Sequence, residues 1–113
     1  MNGRTPPIGS LRDRVQIQRK DVSALSSGGS EVTFVPLATV WARVHQISER
    51  AGEISDGRGA RISHSVVMRF RSDIATGDRL VYRGRALEVI AAEDLNGRRA
   101  YLNCSCTETR IGG

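Results

Sequence analysis

Ile62-Ser63-His64-Ser65-Val66-Val67-Met68-Arg69-Phe70 opens the stretch, running on to Cys106, whose reading decides the fold. Period-two alternation puts Ile62, His64, Val66, Met68 and Phe70 on one side of an extended chain. After Asp73-Ile74-Ala75-Thr76-Gly77, a second run extends from Asp78 to Ile90 and breaks at Arg83-Gly84, where glycine tolerates the positive φ of a turn. Asn96-Gly97 then signals a hairpin, because both residues accept the left-handed conformations of a type I′ turn. Ala100-Tyr101-Leu102-Asn103-Cys104-Ser105-Cys106 alternates once more. The pattern predicts an all-β chain: a small antiparallel β-barrel of about six strands with long flexible loops and room for one short helical turn.

Working outward, Leu11-Arg12-Asp13-Arg14-Val15-Gln16-Ile17-Gln18-Arg19 reads as a half-buried strand. Leu11, Val15 and Ile17 face the core, and Arg12, Arg14, Gln16 and Gln18 face water. Asp21 to Ser30 is rich in Ser and Gly, ending in Ser26-Ser27-Gly28-Gly29-Ser30, and is expected to form a mobile hairpin tip or long loop, taken as far as 21–33, although Glu31 to Val35 could extend as strand. Pro36 cannot donate to a ladder, so its segment belongs at an edge or a strand end. Thr39-Val40-Trp41-Ala42-Arg43-Val44-His45-Gln46 is the other strong strand. The expected core is Val15, Ile17, Val40, Trp41, Val44, Val66, Met68, Phe70 and Val89, with Trp41 as a core or rim plug.

Residues 47–60 break the pattern. Ser48 can cap a helical turn over Ser48-Glu49-Arg50-Ala51-Gly52-Glu53, and Asp56-Gly57-Arg58-Gly59 reads as a loop. A connection this long in so small a domain is expected to carry contacts. Residues 1–10 form a flexible arm, 11–109 a single barrel domain and 110–113 a tail.

The chain has 113 residues and a net charge of +5, and every basic residue except Lys20 is arginine. These arginines are spread rather than clustered, which fits a solvated sheet face or an oligomer seam better than a nucleic-acid reader. There is no apolar run of the roughly 20 residues that a membrane helix needs, so no membrane partner is expected. Met1-Asn2-Gly3-Arg4-Thr5-Pro6-Pro7 lacks the apolar segment of a secretory signal, and the chain is expected to start in a cytoplasm.

Cys104 and Cys106 share a strand face at about 6.7 Å between Cα atoms, a poor geometry for a disulfide. They read as reduced strand thiols. A zinc site built from them with His45 and His64 lacks the usual close-spaced ligand pairs. Neither histidine lies beside a nucleophile motif, and no carboxylates are suggestively paired. No enzyme activity, cofactor or metal is expected.

Three pieces in order resemble a known family: Leu11–Arg19; Ala38-Thr39-Val40-Trp41-Ala42-Arg43-Val44 after a Gly-rich loop; and His64–Arg71. Gly84-Arg85-Ala86-Leu87-Glu88-Val89-Ile90 and Asn96-Gly97-Arg98-Arg99 follow. The order resembles the head–tail joining (head-closure or stopper) proteins of tailed bacteriophages, including gene-transfer-agent versions, over about residues 11–107. The resemblance implies a β-barrel that forms a homo-oligomeric ring in the neck of a virion or phage-like particle, assembled in the host bacterial cytoplasm. A portal or adaptor ring would lie above it and a tail terminator or tail tube protein below. Packaged double-stranded DNA would meet it without sequence specificity. Arg50, Arg58 and Arg61 are the expected lumen-facing or interfacial charges. The alternative is a small nucleic-acid-binding barrel, against which the expected inward facing of Trp41 and Phe70 counts.

Overall fold

A computed structural model describes residues 11–47 and 61–109. It contains six strands, β1 (Asp13–Ala24), β2 (Ser30–Gln46), β3 (His64–Arg69), β4 (Arg79–Tyr82), β5 (Arg85–Asp94) and β6 (Tyr101–Thr109), with one 3-10 turn at Leu95–Gly97. The order β1-β2-β3-β6-β5-β4 closes on itself, and every pairing is antiparallel. The closing seam is short: Gln16, Ile17 and Gln18 of β1 pair with Val81, Leu80 and Arg79 of β4.

Inside the ring, alternation does what its period demands. Val15, Ile17, Ala42, Val66, Met68, Leu80, Leu87, Val89, Cys104 and Cys106 are fully buried together, with Leu102 beside them. Val40, Val44 and Phe70 pack against that cluster while half-buried. A second, smaller cluster joins Leu11, Leu95 and Tyr101 to Val67. Val67 alternates with the inward Val66 and Met68, so this cluster sits on the outer surface, and Leu11 belongs to it rather than to the core of Val15 and Ile17.

Two bulges fit the strands to the curve. Between Ile17↔Ala38 and Gln18↔Pro36, Leu37 is an extra residue, and between Val89↔Cys106 and Ala91↔Ser105, Ile90 is another. Pro36 sits at the first bulge, in a part of β2 that pairs only with β1. An N–H is not missed there.

Three expectations are refined or corrected. Of the two forms expected around 21–33, the structure has the hairpin tip and not the long loop: β1 runs to Ala24, β2 resumes at Ser30, and Val22 sits opposite Val32. Backbone pairing overrides the Ser/Gly composition, leaving only 25–29 as the turn. Trp41 is not core: it is 52% exposed, because its odd position on β2 points outward between the inward Val40 and Ala42. Asn96 and Gly97 do take left-handed conformations, at φ 64° and 66°, but they lie inside a longer connection rather than a two-residue hairpin. Asp94 holds that connection by accepting the Arg99 N–H at 2.9 Å. The two-residue turn is instead Arg83-Gly84, with φ of 50° and 78°.

Arg50, Arg58, the helical turn at Ser48, the arm 1–10 and the tail 110–113 lie outside the described residues.

Candidate interaction surfaces

The outer face of β1, β2 and β3 carries the first surface. Outward parity brings Arg14 opposite Trp41, with its guanidinium 4.5 Å from the ring centroid. Leu11, Arg12, Trp41 and Arg69 line a cleft of about 430 Å³ there. Arg43, two residues along β2 from Trp41, points the same way and is exposed. A tryptophan half in water beside several guanidiniums is the composition of a contact hot spot, not of a core.

The second surface is the distal hairpin. Beyond residue 18, β1 pairs only with β2, so 19–24 and 30–36 form a two-stranded ribbon leaving the closed sheet. Val22, Leu25, Val32 and Val35 are exposed on it. The ribbon is held at its base. Asp78, only 4% exposed, accepts the Lys20 N–H at 3.1 Å through Oδ1 and the Ala75 N–H at 2.9 Å through Oδ2. Gly77 passes so close that a Cβ would lie 3.3 Å from Lys20 Cδ, and its φ of 98° also favours glycine. Arg79 stacks on Phe34 at 3.7 Å.

Arginine on aromatic is a general device in this molecule, since Arg83 also covers Tyr82 and Arg99 covers Phe70. The spread arginines of the sequence are thus largely stacked or surface groups. Arg61 is exposed just before β3, and its carbonyl accepts the Thr107 hydroxyl.

The end of the barrel near Tyr82 brings together His64, Arg83 and Arg85 around a cleft of about 410 Å³. Asp13 accepts the Val44 N–H at 2.8 Å and the Tyr82 hydroxyl at 3.4 Å, joining three strands. His64 is buried and lies within 2.8 Å of the Ser63 hydroxyl through Nδ1. Burial lowers its pKa from the ordinary imidazole value, opposed by Glu108 and helped by Arg85 and His45. His45 is exposed on the opposite strand face, so the structure does not gather His45, His64, Cys104 and Cys106 into one site. Among the described residues no three His, Cys, Asp or Glu side chains are placed to share a metal ion. Both thiols are free and buried; burial pushes Cys104 up to about 12 and Cys106 higher still. Thiolate chemistry is suppressed there.

What sequence reading missed is the pair of surfaces itself. Outward parity of Trp41 was available from its neighbours Val40 and Ala42. The ribbon was not, because Val22 and Val32 each sit between polar neighbours just as buried strand valines do.

The fold has relatives. The solution structure of protein SF1141 from Shigella flexneri 2a is 28% identical, with 98% of this chain and 99% of that one covered and a TM-score of 0.70. A chain from the virion of a native gene transfer agent particle shares the fold at 19% identity and a TM-score of 0.65, over 93% of this chain and 98% of that one. No curated protein sequence matches significantly. The family model of the phage head completion protein matches residues 6–109. The chain therefore belongs to the phage head completion protein family and is a structural, head-related component of a virion.

Proposed function

We propose that copies of this chain assemble into a ring that closes the DNA-filled head below the portal or adaptor ring and presents the surface on which the tail docks. The family match over residues 6–109 carries this reading. The molecule is consistent with it in physical terms. The closed sheet fills its interior with apolar side chains, while its outside exposes Trp41 and the ribbon valines to water. Surfaces of that kind are stable when a neighbour covers them. The tail terminator or tail tube protein would meet the lower rim, and packaged double-stranded DNA would be met electrostatically by Arg61, with Arg50 and Arg58 in the same role. The test is to assemble particles without this chain. Heads that lose DNA and carry no tail are expected; intact tailed particles would refute the reading.

One observation favours a second reading, a single-strand-binding barrel: Trp41 is exposed, not inward, beside Arg14. Arg14 already occupies a face of the ring, however, and a base would have to displace it. Titration with single-stranded DNA across salt separates the two. Tight binding abolished by Trp41→Ala would favour the barrel reading over the connector.

A further inference from the structure

We propose that the ribbon tip of one copy seats in the Trp41 cleft of the next copy, and that this head-to-tail contact is what builds the ring. The inference rests on the ring reading above and names its interface. The two surfaces are chemically complementary. Between residues 21 and 33 the only charged side chains are Asp21 and Glu31, both acidic. They lie on one face of the ribbon, and the cross-strand pair Val22 and Val32, 55% and 49% exposed, lies on the other. The cleft is their counterpart. Trp41 and Leu11 are its apolar floor, Arg69 lines it, and Arg14 over the indole and Arg43 two residues along β2 flank it; none of these three has a carboxylate partner among the described residues. A ribbon laid edge-on thus offers valines to the indole and carboxylates to the guanidiniums.

A chain cannot satisfy its own cleft. Arg14 pairs with Trp41 at one end of the ladder and Ala24 pairs with Ser30 at the other. Ten residues of strand at ~3.3 Å each separate the two ends by about 33 Å. The contact therefore has to be made between copies. Repeated head to tail, two different patches each matched to the other on the next copy make a heterologous interface, which closes into a ring when its rotation allows. A two-fold pair in which each tip enters the other's cleft would use the same contact but stop at a dimer, so cross-linked products that end at the dimer would overturn the ring-building role.

Cysteine cross-linking tests the contact in assembled particles. Cys104 and Cys106 are buried and do not compete. Particles carrying V22C together with R43C, oxidised and then denatured, are expected to give a covalent ladder from dimers up to the full ring. Particles with either substitution alone are expected to give none. A ring visible in the particle without cross-links, or V22C linking to itself, would overturn the interface while leaving the ring reading intact. One copy per particle would overturn both. Should the double-cysteine chain fail to enter particles, charge exchange decides. E31R and R69E are each expected to lower the yield of tailed particles about tenfold, and the two together to restore most of it. Absence of any restoration would overturn the proposal.

Discussion

β1 and β2 each pass through two environments without a break. Val15 and Ile17 on β1 are fully buried, whereas Val22 a few residues later is more than half exposed. The alternation is the same in both places, so what differs is the third partner. Up to Gln18, β4 closes onto β1, and β5 and β6 complete the closed interior; beyond it the two strands have no third strand to pair with. A lone two-stranded ribbon cannot bury an apolar face. Whether a valine is buried or exposed is thus decided by closure of the sheet and not by the strand that carries it.

The comparison breaks if the two regions respond alike to truncation. Met68→Ala should destabilise the protein by about 2–5 kcal/mol, because it empties a fully buried site. Val32→Ala should change stability by no more than about 0.5 kcal/mol. Denaturant unfolding of the isolated chain measures both, and a large loss at Val32 would mean that the ribbon is part of the core. Asp78→Ala tests the joint between the regions. It strands the Lys20 and Ala75 N–H groups and should cost about 1–3 kcal/mol. Hydrogen exchange should then accelerate in the ribbon more than around Met68.

A pH dependence is expected at His64, in the closed part of the sheet. His64 has a lowered pKa in the folded chain, with burial the main cause, so below the ordinary imidazole value of 6.5 the unfolded chain binds a proton that the folded chain resists. Stability should therefore be unaffected by this group above that value and fall as pH drops through it. His64→Gln should flatten that part of the stability profile, and an unchanged slope would contradict the assignment. The smallest effect is expected at Arg71–Asp73, an exposed pair at 2.8 Å whose loss in Arg71→Ala should stay within about 0.5 kcal/mol.

Much of the closed sheet was legible. Period-two runs placed Val15, Ile17, Val66, Met68 and Val89 on faces that are dry in the structure, because a strand's side-chain period is a property of the backbone itself. Trp41 was misplaced because size and apolarity were allowed to outweigh parity. The extent of the Ser/Gly tip was misread because composition reports the entropy cost of ordering a segment but not the ladder that offsets it. The ribbon's proposed role is illegible in sequence for a further reason: it calls on a cleft lined by Leu11, Trp41 and Arg69, which are far apart in the chain and meet only on folding.

The most direct test of the whole account is a reconstruction of the neck of a tailed particle containing this chain. The account predicts a closed ring of copies between portal and tail, each with its ribbon against the Trp41 face of its neighbour. Particles in which the chain is absent from the neck, or present as a lone copy, would contradict it.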